Sequence, residues 1–289
     1  MRTVLIMKKL LLPLVSLSIL TPTVSACGSA PAADEIVATH SVLASIVQLM
    51  VGETAKVVTV VPDGKDPHEF EPSAGDVARI TNARIVVSNG FGYEPTLQKA
   101  IAQARSAGST VFDAEWEMPG LSDPHWFTDP LSAADVLARL LPVMEKATGL
   151  VLDNPLADAV EKLQETVAEG KKTLSTVPEG KCTYAVEHVL LAPFGDRFAC
   201  PGSVVLNTGS RLPDAQPSGK DIENFVNSIR EHGIRAIVED SAEPSNVLAQ
   251  VSAQTGAELV KISVHGTGGA VDYPGYVLAI ARALADSLS

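Results

Sequence analysis

Aromatic residues, cysteines and positive charge are all scarce in this chain. Phe, Trp and Tyr make up 4% of its 289 residues, only three residues are cysteine, and Asp and Glu outnumber Lys and Arg by 34 to 22. The formal net charge of −12 argues against a nucleic acid or an anionic lipid surface as the binding partner.

Several catalytic motifs are missing as well. The sequence has no GxxxxGKS/T phosphate loop and no GxSxG nucleophile elbow. His68-Glu69 does not continue to an HExxH motif, because position 72 is Pro72. These absences argue against an NTPase, a serine hydrolase of the elbow type and a zinc hydrolase, so we predict that the chain is not an enzyme.

The N-terminus has the pattern of a bacterial lipoprotein signal. An apolar run from Leu10 to Leu20 follows two lysines and is too short to span a bilayer comfortably. The sequence Val-Ser-Ala-Cys ending at Cys27 then matches a lipoprotein cleavage site. We predict a signal peptide over 1–26, lipidation of Cys27 and a tether over 27–34, with translation starting at Met1 or Met7.

This signal predicts an exported protein, lipid-anchored to the outer face of the bacterial cytoplasmic membrane or periplasmic. More than one acyl chain on Cys27 is what stable anchoring requires. Loss of Arg2, Lys8 and Lys9 with the signal would bring the net charge to about −15. Such a charge mildly favours cations near the surface.

The other two cysteines, Cys182 and Cys200, form an even pair once Cys27 is assigned to lipid. An exported protein readily forms a disulfide across a loop of this size. Because they flank His188, they could instead bind a metal, but zinc-type cysteine sites usually contain Cys-x-x-Cys pairs. We predict a disulfide.

From residue 35 onward, short β-branched runs alternate with amphipathic helical stretches, a pattern typical of parallel sheets. The central part is predicted to be helical, with almost no strand signal. We therefore predict an α/β fold of two lobes, each with a central, mostly parallel sheet flanked by helices. The predicted boundaries are 35–152 for the N-terminal lobe, 153–176 for a long rigid linking helix and 177–289 for the C-terminal lobe.

Four histidines each lie next to a predicted strand end, which suggests one metal ion held between the two lobes: His68, His125, His188 and His265. The first two occur in Asp-Pro-His steps, where proline stiffens the loop that presents the imidazole. Neutral imidazole is the commonest protein ligand for metals. Of the other two, His40 is predicted to cap or pack at a helix start, and His232 to lie at a helix end before Gly233.

Longer segments resemble the metal-binding lipoproteins of zinc and manganese ABC importers. DPHEFEPSAGDVARITNARIVVSNGFGYEPTLQKAI resembles that family's first-ligand segment, DPHWFTDPLSAADVLARLL its second and EHVLLAPFGDRFAC its third. PSGKDIENFVNSIREHGIRAIVED is similar to the helix and strand that lead to a site-lining glutamate, here Glu239. The resemblance extends over 35–289 and implies a metal-ion receptor.

At the fourth ligand position this chain departs from the family, whose members usually have an aspartate after the strand that here reads ELVKISV. His265 stands at that position. Asp272 is the alternative, because the intervening glycines would let the loop fold back and offer a carboxylate. If His265 is a ligand, zinc affinity should fall as the pH drops through the imidazole range near 6.5.

The ligand set favours Zn²⁺ over Mn²⁺, because imidazole suits zinc and manganese prefers oxygen donors. Cu²⁺ or Ni²⁺ would also accept such a site chemically. The resemblance implies that a monomeric receptor captures Zn²⁺ outside the cytoplasm and delivers it to the permease and ATPase of an ABC importer. The alternatives are a manganese-type receptor, an adhesin of the same family, and a zinc-dependent hydrolase.

Overall fold

The computed structural model describes residues 35–206 and 217–289. The expected signal peptide, the lipidated Cys27 and the tether over 27–34 lie outside these residues. Among the helices within the described ranges, none has an apolar stretch long enough to cross a lipid bilayer.

The N-terminal lobe is an alternation of strands and helices. Its elements are β1 (Ile36–His40), α1 (Ser41–Val51), β2 (Val57–Val61), α2 (Ala74–Asn82), β3 (Ile85–Ser88), α3 (Gln98–Ala107), β4 (Thr110–Asp113), α4 (Ala114–Glu117) and α5 (Pro130–Thr148). The strands pair in parallel in the order β2-β1-β3-β4. All five residues of β1 are buried, as expected for a central strand covered by helices on both faces.

The C-terminal lobe repeats this strand order. Its elements are β5 (Tyr184–Val186), α7 (Ala192–Phe198), β6 (Gly202–Val205), α8 (Gly219–Glu231), β7 (Ala236–Asp240), α9 (Asn246–Thr255), β8 (Glu258–Ile262) and α10 (Tyr273–Leu288). The parallel order is β6-β5-β7-β8. The predicted α/β fold with two parallel sheets is therefore confirmed.

Between the lobes runs α6 (Asp153–Leu174), close to the predicted linking segment. It contacts α1 and α5 on the N-terminal side and α7 and α10 on the C-terminal side. Near its end, Gly170 lies so close to α7 that a Cβ atom there would come within 2.5 Å of the Phe198 ring. A helix packed against both lobes favours a stiff connection between them, while the exact domain boundaries stay a prediction.

A single hydrophobic cluster extends from one lobe into the other. It includes Val87 of β3, Leu163 of α6 and Val186 of β5. Polar contacts add to this interface, since Tyr273 donates a hydrogen bond to the Phe127 carbonyl (2.7 Å). The Arg197 guanidinium donates two to the Asp129 carboxylate, at 2.7 and 2.9 Å.

Cys182 and Cys200 form the predicted disulfide. It joins the residues before β5 to the end of α7 and so closes the segment that contains His188. The side chain of Cys200 is fully buried, which places the bridge inside the C-terminal lobe.

Candidate metal centre

The two sheets bring the four predicted histidines to neighbouring loops. In open parallel sheets, ligands bind beyond the carboxyl ends of the strands, near the point where the strand order reverses. His68 follows β2 and His188 follows β5, while His265 follows β8. His125 comes after β4 and α4 and directly precedes a short 3-10 helix, Trp126–Thr128.

Three of the histidines form a tight group. Ring nitrogens of His68, His125 and His265 lie within 4.8 Å of one another. Their ring centroids are 5.4 Å apart for His68 and His265, 5.6 Å for His125 and His265, and 6.0 Å for His68 and His125. His188 lies slightly further out, with its ring centroid 6.2 Å from those of His125 and His265. Three of the predicted imidazoles therefore form one group, and the fourth lies beside it.

Two of these rings are buried, with His265 0% and His125 3% exposed. Within the described part of the chain neither ring nitrogen of these two residues makes a well-directed hydrogen bond, although a carboxylate lies near each Nδ1. An unpaired buried nitrogen carries a desolvation cost that a bound cation would remove. The donor set thus fits a metal that accepts nitrogen ligands.

The Asp-Pro-His steps are built alike. Asp66 accepts a hydrogen bond from the His68 amide at 2.8 Å, and Asp123 accepts one from the His125 amide at 2.7 Å. Each aspartate therefore closes a tight turn over the proline and fixes the backbone of the histidine. This explains why the same tripeptide occurs twice.

His265 is oriented from behind by Asp240, the last residue of β7. The Asp240 carboxylate lies 2.7 Å from Nδ1 of His265 and also accepts a hydrogen bond from the His265 amide at 3.0 Å. A carboxylate on one ring nitrogen typically directs the other nitrogen toward a metal.

Glu239, which the resemblance implies is a site-lining residue, makes other contacts in this structure. The Glu239 carboxylate instead accepts a hydrogen bond from the Ser245 amide (2.8 Å) and lies 3.7 Å from the Lys261 ammonium. Successive residues of a strand point to opposite faces, so the neighbouring Asp240 reaches the histidine.

The alternative fourth ligand, Asp272, is engaged elsewhere. It is the N-cap of α10, where its carboxylate accepts a hydrogen bond from the Gly275 amide at 2.9 Å. It also pairs with the Lys162 ammonium at 3.0 Å, and its side chain is 38% exposed. These contacts favour His265 over Asp272 as the fourth ligand.

A carboxyl pair that the sequence analysis missed lies on the other side of His265. Oxygens of Asp66 and Glu243 and a ring nitrogen of His265 lie within 4.8 Å of one another. Burial and a hydrogen bond to Asp66 raise the pKa of Glu243 to about 9. Burial opposes ionisation of Asp66, but the hydrogen bond from Glu243 and the nearby His265 outweigh it and lower the pKa of Asp66. Glu243 is in the loop after β7, where no sequence pattern marks it.

Burial also changes the titration of the histidines. It lowers the pKa of His68 and of His188 to about 4, with repulsion from the neighbouring imidazoles adding to the effect. The pKa of His125 is lowered for the same main reason. These rings are neutral at pH 7 and ready to bind a cation. Proton competition at His68 and His188 is therefore expected well below about pH 6.5, the ordinary value for an imidazole.

His40 and His232 lie outside the group, as predicted. Nδ1 of His40 accepts a hydrogen bond from the Leu43 amide (3.4 Å) and so caps α1, while its Nε2 contacts Asn89 at 3.3 Å. His232 is the C-cap of α8, followed by Gly233 with a φ of 61°.

Known proteins share both sequence and fold with this chain. The metal ABC transporter substrate-binding lipoprotein SloC of Streptococcus mutans is 26% identical over 273 residues, which cover 86% of this chain and 87% of that protein. A manganese-bound S38A mutant of a periplasmic metal-binding protein from Candidatus Liberibacter asiaticus superposes with a TM-score of 0.75 at 18% identity, covering 89% of this chain and all of the other.

A nickel complex of the solute-binding protein FpvC from Pseudomonas aeruginosa gives a TM-score of 0.74 at 21% identity, with 88% of this chain and 96% of the other covered. At such identities the likeness of the two structures shows a shared fold. A sequence match to one family runs from residue 36 to residue 287. The chain belongs to the family described as the periplasmic component A of zinc-uptake complexes.

Proposed function

We propose that the chain is an extracytoplasmic receptor that captures Zn²⁺ between its two lobes and delivers it to the permease of an ABC importer. The observation that carries this proposal is the group of three imidazoles drawn from both lobes, with the His188 ring beside it. The proposed ligands are His68, His125, His188 and His265.

The choice of zinc rests on the donor atoms. Four imidazoles would supply a nitrogen-rich donor set, and zinc accepts such ligands in a tetrahedron with bonds of about 2.0–2.1 Å. Manganese prefers oxygen donors. The carboxylates beside His265 are engaged, since Asp240 contacts its Nδ1 and Asp66 shares a hydrogen bond with Glu243. Related structures hold manganese or nickel, so metal preference has to be measured on this chain.

Transport requires partners that supply energy. The chain has no phosphate-binding loop, and the family to which it belongs consists of metal-transport receptors rather than enzymes. The relative SloC is by name a lipoprotein of a metal ABC transporter. We therefore assign this receptor a permease and an ATPase as partners and a lipid anchor on Cys27, and we expect it to act as a monomer.

Competition calorimetry on chelator-stripped protein tests the proposal. We expect one Zn²⁺ per chain. Mn²⁺ should bind more weakly, because the proposed ligands are imidazole nitrogens and manganese prefers oxygen donors. Two tight equivalent zinc sites, or Mn²⁺ bound more tightly than Zn²⁺, would show that the receptor has been assigned the wrong metal. Elemental analysis of protein purified without added metal provides an independent check.

A further inference from the structure

Two exposed loops, one from each lobe, meet directly beside the histidines. Asp63 lies in the loop after β2, five residues before His68, and Thr267 lies two residues after His265. The Asp63 carboxylate accepts a hydrogen bond from the Thr267 amide and another from the Thr267 hydroxyl, the latter at 3.0 Å. The loops that present two proposed ligands are thus tied to each other.

The N-terminal end of this contact is held in place. The same Asp63 oxygen accepts a hydrogen bond from the Ser41 hydroxyl (3.1 Å) at the start of α1. Ser41 follows β1, the central strand of the N-terminal sheet. The carboxylate therefore connects the C-terminal loop to a fixed part of the other lobe.

On the C-terminal side, the loop at Gly266 packs closely against the loop that contains Asp63. A Cβ atom on Gly266 would lie 2.7 Å from the Gly64 amide nitrogen and 2.8 Å from the Asp63 carboxylate, so the two backbones touch at this point. The Ser263 hydroxyl donates a hydrogen bond to the Gly266 carbonyl (2.9 Å), which closes the loop on itself. Gly266 is needed here for close approach of the backbones, because its φ lies outside the left-handed region.

We propose that Asp63, Thr267 and Gly266 form a latch between the lobes that slows release of the bound metal. This inference rests on the proposed function, because it assumes that His68 and His265 hold the ion. The latch residues do not touch the metal themselves. They keep the His265 loop against the His68 loop, so the site opens only after the Asp63 hydrogen bonds break.

The rate of zinc release, followed by transfer to an excess of a colorimetric chelator, tests the latch. Asp63→Ala should speed release about tenfold, the effect of losing one to two net hydrogen bonds. Thr267→Val keeps the amide donor and should have a smaller effect of about threefold, which Thr267→Ser should reverse. Gly266→Ala should speed release as well, because its methyl group separates the two loops.

Matched controls remove comparable groups away from the contact. Asp76→Ala deletes a carboxylate that also bonds a hydroxyl and an amide, those of Ser73, in the same lobe. Gly120→Ala adds a methyl group where no atom lies within 4 Å. Both controls should release zinc at the wild-type rate. Equal release rates for Asp63→Ala and Asp76→Ala would overturn the latch.

A second measurement needs no metal at all. In chelator-treated protein, amide hydrogen exchange over residues 264–270 should be faster in Asp63→Ala than in the wild type, and unchanged in Asp76→Ala. Unchanged exchange in Asp63→Ala would overturn the latch. Failure of the wild-type protein to bind zinc would instead count against the proposed function, and the exchange comparison would still decide the latch.

Discussion

His265 is the residue at which this chain differs from the pattern it resembles. Its ring lies against those of His68 and His125 and is held from behind by Asp240. We predict that His265→Ala weakens zinc binding more than about 100-fold. Loss of a residue that only hydrogen-bonds to a metal ligand typically costs roughly 10- to 100-fold in affinity. Calorimetry of His265→Ala and of Asp272→Ala tests this. Asp272→Ala is the control and should bind zinc with an affinity near the wild-type value.

The opposite ranking would refute the ligand assignment: an Asp272→Ala variant that no longer binds zinc beside a His265→Ala variant that does. A conservative exchange tests the donor argument separately. His265→Asp should retain a site but shift relative preference toward Mn²⁺, because an oxygen donor replaces nitrogen. An unchanged ratio of the two affinities would contradict that reasoning.

His40 makes the fold sensitive to acid. Burial lowers its pKa to about 3 in the folded protein, whereas an unfolded histidine titrates near 6.5. The unfolded chain therefore binds the proton first as the pH falls, and the stability that His40 contributes above pH 6.5 is lost progressively toward pH 3. We predict a loss of about 2 kcal/mol from this residue between pH 7 and pH 5.

Chemical denaturation of metal-free protein at the two pH values measures this loss. His40→Asn serves as the comparison, because asparagine keeps an oxygen that can cap α1 and does not titrate. The variant should lose less stability than the wild type on acidification. Equal losses in the two proteins would mean that other groups account for the acid sensitivity.

At the residue scale, the sequence predicted the histidines but not the groups behind them. Asp-Pro-His steps and strand ends are visible in a sequence, because they depend on neighbours along the chain. The contact between Asp240 and His265 instead depends on which face of β7 each acidic residue occupies. The resemblance named Glu239, the preceding residue, whose side chain points to the other face of β7.

In helix α6, replacing Gly170 by alanine is expected to destabilise the protein, which is the opposite of the usual effect in a helix. In a helix interior, Gly→Ala normally stabilises a protein by about 1 kcal/mol. Gly170 is buried, and a methyl group there would meet the Phe198 ring, which is itself packed on Phe194 with ring centroids 4.4 Å apart. We predict that Gly170→Ala lowers the free energy of unfolding by about 1–3 kcal/mol, as overpacking does.

Urea denaturation provides the measurement. Gly219→Ala, at the start of α8, adds the same methyl group where no atom lies within 4 Å, and it should be neutral or slightly stabilising. A gain in stability for Gly170→Ala would show that α6 and α7 are less tightly packed than described.

At the scale of elements, the apolar runs in the sequence predict six of the eight strands of the described residues, and β4 and β6 are the two without such a run. β1, β2 and β3 are runs of β-branched residues that are mostly buried. β4 has four residues and leads directly into a helix, and β6 begins with Gly202 and Ser203, both exposed. Edge position alone does not explain this, because β2 is an edge strand too. The sequences of β4 and β6 carry little of the apolar pattern that identifies a strand, because β4 is short and β6 opens with two small exposed residues.

The whole molecule is expected to change shape little when it binds metal. The helix α6 contacts both lobes, and one hydrophobic cluster runs through it from sheet to sheet. A wide hinge opening would expose that cluster to water, so small tilts are the expected motion. Small-angle scattering of chelator-treated and zinc-loaded protein should give the same radius of gyration within error, and a clear decrease on zinc binding would indicate a wide hinge instead.

The division of the proposed ligands between the lobes bears on how the ion leaves. His68 and His125 belong to the N-terminal lobe and His188 and His265 to the C-terminal lobe, so a small separation of the lobes would leave the metal with two ligands instead of four. A membrane partner would then need no competing chelator of its own. A partner that pushes the two loops apart where they meet would be enough to lower the affinity of the site for the metal.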